Sequence, residues 1–140
     1  MTTLAKNAVR DYELGDNNDL PVIAGDIIYE GAAVGENGSG YFRPLAAGDP
    51  FAGFAVRKAD NSAVGAAAGD VNVNVLQKGK IELNVVGVTA VTDEGSTVYA
   101  SDDNVFTLSS TSNSAIGKIV RYISGTKCIV AFEAASVRSI

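Results

Sequence analysis

Apolar and polar residues alternate most clearly in the middle of the chain. Residues 71–75 read Val-Asn-Val-Asn-Val, and residues 80–85 read Lys-Ile-Glu-Leu-Asn-Val. A period of two is typical of β-strands that have one buried face and one solvated face. The pattern predicts either two strands joined by a tight turn at Lys78-Gly79, or one long strand with a bulge there.

Shorter apolar runs bounded by turn residues predict further strands on both sides of this region. They lie at residues 27–34, 41–44, 51–57, 97–100, 105–108, 116–123 and 126–132. Gly31 interrupts the first run, the loop at 35–40 contains an Asn-Gly pair typical of hairpins, and Ser124-Gly125 predicts a two-residue hairpin loop. Residues 59–70 are mostly Ala, Gly, Asn and Ser, and we expect a mobile loop there.

No stretch shows helical periodicity with caps, apart from one possible turn at residues 134–137. Many short strands separated by turns indicate a sandwich or a barrel. The predicted fold is therefore all-β: a small antiparallel β-barrel or sandwich with an extended N-terminal segment.

Three Ala-Gly-Asp triplets and one Asp-Glu-Gly turn divide the chain at nearly even intervals. Their aspartates are Asp26, Asp49, Asp70 and Asp93, which follow one another every 21 to 23 residues. Glycine gives the backbone conformational freedom, and an aspartate can accept hydrogen bonds from the backbone of its own turn. We predict that each marks a corner at which a new strand begins. The alternative is that Gly-Asp, a common turn pair, recurs by coincidence.

Residues 1–20 differ in pattern from the rest of the chain. Residues 9–14 alternate in polarity, and residues 15–19 are polar and rich in turn formers. This segment is predicted to be either an edge strand or an arm that becomes ordered against a partner, and residues 21–140 a single β domain. The candidate contacts with a partner or another protomer are Leu4, Val9, Tyr12, Leu14 and Leu20.

Composition and charge narrow the range of partners. The chain has 140 residues, which is typical of one domain, and a net charge of −5. Its eleven Lys and Arg residues are scattered, so no nucleic-acid or anionic-membrane partner is expected. Residues 1–10 lack the apolar core of a secretory signal and no run reaches transmembrane length. We expect the protein to be made in a reducing cytoplasm. If it leaves the cell, we expect it to do so by a route such as lysis.

Few catalytic arrangements are open to this composition. The chain has no histidine and one cysteine, Cys128, which excludes Ser-His-Asp and Cys-His pairs, thiolate zinc sites and an internal disulfide. Cys128 lies in an apolar run and is predicted to be buried and inert. The carboxylate pairs Asp93-Glu94 and Asp102-Asp103 are expected in solvated turns. We therefore predict no catalytic residue, no metal and no cofactor, hence not an enzyme.

Several short motifs recur in a fixed order along the chain: the Ala-Gly-Asp triplets, the Gly-Lys-Ile-Glu-Leu run and the Gly-Ser-Thr-Val-Tyr-Ala-Ser-Asp run. They lie within residues 24–28, 46–55, 68–83, 95–102, 106–107 and 115–118. Their order and spacing resemble those of the small cement, or head decoration, proteins of tailed bacteriophages. The resemblance covers about residues 20–132.

The resemblance implies a structural role in the virion. Such a protein is a small β-barrel or sandwich that forms a homo-oligomer, commonly a trimer and alternatively a dimer. After synthesis in the host cytoplasm, it binds the capsid exterior and stabilises contacts between major capsid proteins, without catalysis or a cofactor. The longer segment at residues 1–20 departs from the shorter members of the family.

A competing hypothesis is a receptor- or glycan-binding β module of a phage tail or fibre. That function predicts a cluster of exposed aromatic residues, whereas the five tyrosines are scattered along the sequence.

Overall fold

Strands account for nearly all regular structure in the computed structural model, which describes residues 5–7, 10–11, 13 and 15–138. These residues also include a short 3₁₀ turn at Val91–Asp93. The strands are β1 Asn17–Pro21, β2 Ile27–Ile28, β3 Ala33–Glu36, β4 Phe42–Pro44, β5 Phe51–Ala55, β6 Ala59–Asp60, β7 Asn72–Leu76, β8 Lys78–Val86, β9 Thr97–Ala100, β10 Phe106–Thr107, β11 Ser114–Ser124 and β12 Lys127–Glu133. The all-β prediction is confirmed.

The first half of the chain forms an antiparallel sheet in the order β1-β7-β5-β3-β4. Its two ends approach each other where Val22 and Phe42 form an isolated bridge. The pair β2 and β6 forms a separate ladder, with Ile28 opposite Ala59. Val22, Ile28, Val34 and Val73 have no exposed surface and belong to a first core cluster.

The second half forms a closed barrel in the order β10-β8-β12-β11-β9. Its pairs are antiparallel except that β10 runs parallel to β8. The predicted strands at 97–100 and 105–108 contain β9 and β10, which pair with each other, with Phe106 opposite Ala100. The last hairpin is also confirmed, although its loop is Gly125-Thr126, one residue later than predicted, because Ser124 pairs with Lys127.

The alternating run at residues 71–86 divides between the two halves. β7 pairs with β1 and β5, whereas β8 pairs with β12 and β10. The change occurs at Gln77, whose N–H donates to the Asp16 carbonyl and whose carbonyl accepts from the Ala134 N–H. The chain therefore passes from the sheet into the barrel, and neither the tight turn nor the single bulged strand predicted at Lys78-Gly79 is correct.

An aromatic cluster joins the sheet to the barrel. Phe54 lies with its ring centroid 4.9 Å from Phe132 and 5.3 Å from Phe51. Residues three apart in a regular strand point to opposite faces, but a register shift in β5 places Phe51 opposite Gly35 and Phe54 opposite Ala33. The two rings therefore share one face, and both belong to the core cluster that fills the barrel.

Two loop predictions need correction. The run at 27–34 is not one strand, because the residues from Tyr29 to Ala32 turn between β2 and β3, and Gly31 has a φ of 86°. The stretch at 59–70 does not begin as a free loop, because Ala59–Asp60 forms β6. Asn61, only 1% exposed, follows that strand. The turn expected at 134–137 is present, and Val137 N–H donates to the Ala134 carbonyl.

Candidate assembly surfaces

The four predicted corners share one backbone feature and one side-chain role. Gly25, Gly48, Gly69 and Gly95 all have φ between 80° and 92°, in the left-handed region. Each aspartate accepts from backbone N–H groups of its own turn: Asp26 from Ile27, Asp49 from Ala46, Asp70 from Ala67, and Asp93 from Thr89 and Ala90. The predicted turn geometry is confirmed.

Three of these corners are built alike. Asp49, Asp70 and Asp93 also donate their own N–H to the carbonyl of the residue three positions earlier, at 2.9, 3.1 and 3.0 Å. Each turn is therefore closed by two reciprocal hydrogen bonds. The hydrogen bonds to Thr89 and Ala90 lower the pKa of Asp93.

The Asp49 corner contacts both the sheet and the barrel. Asp49 is 8% exposed and forms a two-point ion pair with Arg43, whose Nε and Nη2 lie 2.9 and 2.8 Å from the carboxylate oxygens. Burial opposes its ionisation, but the hydrogen bonds from Arg43 and Ala46 together lower the pKa of Asp49. The Gly48 N–H donates to Ser114 Oγ in β11 at 3.1 Å. This corner therefore connects the sheet to the barrel.

Both carboxylate pairs have structural roles. Glu94 accepts from the Tyr122 N–H at 2.9 Å, and Asp102 accepts from the Asn104 N–H at 2.7 Å. Burial, followed by the charges of Asp102 and Asp26, raises the pKa of Asp103. Among the described residues, no group of three or more His, Cys, Asp or Glu side chains could hold a metal ion.

Cys128 is fully buried in the barrel, and burial raises the pKa of its thiol. Because the thiolate is the reactive species, we expect the native protein to resist a thiol reagent. Labelling with a chromogenic disulfide should be slow in buffer and reach one thiol per chain in denaturant. Rapid labelling of the native protein would contradict this burial.

The structure describes one of the five predicted contact residues. Leu4, Val9, Tyr12 and Leu14 lie outside the described residues. Leu20 lies in β1 opposite Val73 and packs, partly buried, against the first core cluster. Its side chain therefore already packs against other residues of its own chain.

β1 forms one edge of the sheet, and the predicted boundary at residue 20 falls inside it. Gln77 N–H donates to Asp16 and Val22 N–H donates to Val71, so the backbone groups of Asn17, Asp19 and Pro21 point away from β7. Proline at such a position removes a donor from the open edge. Asn74 stabilises the strand by accepting from Asn17 and donating to Asp19, at 3.0 and 2.9 Å.

A groove follows the open edge of β1. It has a volume of about 290 Å³ and is lined in part by Leu20, Phe42 and Ala52. Leu20 lines the groove from β1 and Phe42 lines it from β4, and the chain approaches β4 just after β1, at the Val22–Phe42 bridge. Open backbone groups beside an apolar groove are a geometry that can accept an extended peptide.

Aromatic residues contribute little to the described surface. Tyr29 is 57% exposed and is the one exposed aromatic side chain among the described residues. Lys58 Nζ lies 5.4 Å from its ring centroid, within cation–π range. Tyr41, Tyr99 and Tyr122 are half-buried.

Sequence reasoning overlooked one exposed apolar side chain. Val64, in the loop between β6 and β7, is fully exposed, with a relative exposure of 106%. Its signal in the sequence is a run of nine residues, 61–69, without a charge. This run lies within the mobile loop predicted at residues 59–70.

Neither a scan against protein-family models nor a search of curated proteins gives a match to this chain. Among the residues described, no helix is long and apolar enough to cross a membrane.

Proposed function

We propose that the chain is a structural virion protein that binds the outside of a phage capsid and stabilises contacts between major capsid proteins. The observation that supports this most directly is the shared geometry of the corners. The resemblance to cement proteins rests on the order and spacing of these corners, and three of them form the same hydrogen-bonded turn.

A mechanical role also suits the way in which the two halves of the chain are joined. The aromatic cluster around Phe54 and Phe132 is buried between them, and the Arg43–Asp49 pair holds a corner that contacts Ser114 in the barrel. A protein that holds neighbouring subunits together needs such a stiff connection. In this role the chain works as a homo-oligomer, with a trimer favoured over a dimer, on the exterior of the virion.

The N-terminal segment is the proposed contact with the major capsid protein. It leads directly into β1, whose outer backbone groups are open, and extended segments add to sheet edges through backbone hydrogen bonds. Leu4, Val9, Tyr12 and Leu14 would supply the apolar side chains. Many such contacts around a shell convert a modest affinity per site into strong retention.

Binding to shells tests this function. We expect purified protein to bind expanded capsids that lack it and to saturate at a copy number set by capsid symmetry. A variant without residues 1–14 should keep its β circular dichroism, since β1 remains, but bind at least about tenfold more weakly, equivalent to roughly 1.4 kcal/mol per copy. The deletion ends at residue 14 because removal of β1 would expose the edge of β7 and the core side chains against which Leu20 packs.

The outcomes separate the two functional hypotheses. Equal binding by the full-length and shortened proteins would show that residues 1–14 do not contribute to the contact. Full-length protein that ignores shells and binds a glycan would overturn the capsid function and favour the receptor-binding module. Tyr29→Ala is the matched variant for that case, because Tyr29 is the exposed aromatic residue that a sugar could stack on.

A further inference from the structure

The loop from Ser62 to Ala68, here called the knob, presents an uncharged tip to solvent. Ala63, Val64 and Gly65 are all exposed at this tip. Charged residues make up 19% of the chain, yet residues 61–69 contain none. Val64 is the most exposed of the large apolar side chains described.

The base of the knob is held by an organised set of hydrogen bonds. The buried Asn61 side chain donates to the carbonyls of Val22, Ile23 and Ala67, at 3.3, 2.9 and 3.1 Å. The Ser62 N–H donates to Asp60 Oδ1 at 2.9 Å. A loop already ordered in this way loses little conformational entropy when it binds, so its apolar tip is prepared for a contact.

A second feature, here called the trench, lies on the outer face of β11 and β12. It is an open groove of about 420 Å³, lined in part by Ala115, Val120 and Ala131, with Lys118, Glu133 and Arg138 also contributing. Arg138 is held there because it donates to the carbonyls of Ala115 and Glu133. Val120 is 44% exposed, so apolar surface remains open to solvent.

The charges around the knob and the trench are complementary. Asp60 and Asp70 stand at the two ends of the uncharged run, with Lys58 beside Asp60. The trench carries Lys118 and Arg138 against Glu133. Asp60, Asp70 and Lys58 together carry one excess negative charge beside the knob, and Lys118, Arg138 and Glu133 together carry one excess positive charge at the trench. Because whole copies repel through a net charge of −5 each, this local pairing favours one orientation.

We propose that the knob of one copy docks into the trench of a second copy. This inference rests on the proposed function, whose oligomer it would build. The two surfaces differ, so the contact is head-to-tail and closes into a ring when the rotation per copy is right. A trimer would contain three identical knob–trench contacts.

Cysteine cross-linking tests the contact. Val64→Cys and Ala131→Cys are placed in separate chains, while the buried Cys128 remains. Mild oxidation of the mixture should give a disulfide-linked dimer, and a chain carrying both substitutions should give closed covalent rings. Each single variant alone is a control, and Val91→Cys mixed with Ala131→Cys is a matched control, because Val91 is an exposed valine elsewhere, at 62%.

The same mixtures are oxidised in solution and on shells. Cross-linking only in the Val64–Ala131 mixture supports the contact. No cross-linking in either setting, or equal cross-linking in the controls, overturns it. If shells still bind wild-type protein to saturation in that case, the capsid function stands without the knob contact. If copies cross-link selectively but ignore shells, the contact stands and the capsid function fails.

A Val64→Lys variant gives an independent readout. The concentration at which the oligomer dissociates, measured by light scattering, should rise at least about tenfold, because an ammonium group at the tip would lose its hydration in a groove that already carries an excess of positive charge. Unchanged self-association would overturn the proposal. So would loss of shell binding with normal self-association, because the knob would then contact the coat protein.

Discussion

Gly117→Ala is expected to destabilise the protein by about 3 kcal/mol or more, the largest effect of any single methyl group in the barrel. A Cβ at this position would overlap the carbonyl oxygen of Ala131 and approach Phe132 Cα at 2.9 Å. These are backbone atoms of the paired strand β12, so they cannot move aside without breaking the ladder. Chemical denaturation should show a large drop in midpoint with an unchanged slope.

Gly79→Ala is the matched control for this substitution. Gly79 in β8 and Gly117 in β11 both pair with Phe132, from opposite sides of β12. A Cβ at Gly79 would lie 3.5 Å from side-chain atoms of Leu76 and Phe132, an ordinary contact. We expect Gly79→Ala to be neutral or slightly stabilising, because alanine restricts the unfolded chain. Similar losses in both variants would show that a close backbone approach is not the cause.

Asp49→Ala is expected to cost about 2–3 kcal/mol, the second large effect. The substitution removes a nearly buried carboxylate from Arg43 and from the Ala46 N–H. The Arg43 side chain is 36% exposed and can be partly rehydrated, which keeps the loss below that of a fully buried pair. The free energy of unfolding from denaturant titration measures the change.

Asp70→Ala separates the contribution of the ion pair to stability from the contribution of the turn. The sequence Ala-Ala-Gly-Asp at 67–70 repeats that at 46–49, and Asp70 caps its turn in the same way, but its carboxylate is exposed. We expect a loss of about 1 kcal/mol, typical of a lost cap. Equal losses at both positions would mean that Arg43 contributes nothing beyond the turn.

Acid titration checks the sign of the contribution that ionised Asp49 makes to the free energy of unfolding. Because its folded pKa lies below its ordinary value of 3.8, ionised Asp49 stabilises the fold above that value. This contribution is lost as the pH falls through the folded pKa. The stability difference between wild type and Asp49→Asn should therefore be constant from about pH 7 to pH 5 and shrink below about pH 4. A difference that grows with acid would contradict the lowered pKa.

Local patterns predicted much of the fold. Alternation at 80–85 identified β8, because one face of that strand is buried whichever strands pair with it. The corner aspartates were predictable because their hydrogen bonds reach only three or four residues along the chain. The last hairpin was predictable because its strands are joined by two residues.

Other features depended on contacts between distant residues. Phe51 and Phe54 share a face only because β5 shifts register against β3. Asn61 is buried because carbonyls of Val22 and Ile23, almost forty residues earlier, accept its hydrogen bonds. Leu20 stays a predicted partner contact by its sequence, and only the sheet shows that it also packs, partly buried, against the first core cluster.

The sequence by itself determined the all-β class, most strands and the corners, because these follow from side-chain period and from hydrogen bonds within a few residues. Only the tertiary structure decided that the alternating run at 71–86 divides between a sheet and a barrel. It also decided that Asp49 meets Arg43 in a nearly buried pair, and that an ordered knob and an apolar trench remain exposed. Strand pairing and burial bring together residues far apart in the chain, and no local pattern records which distant residues will meet.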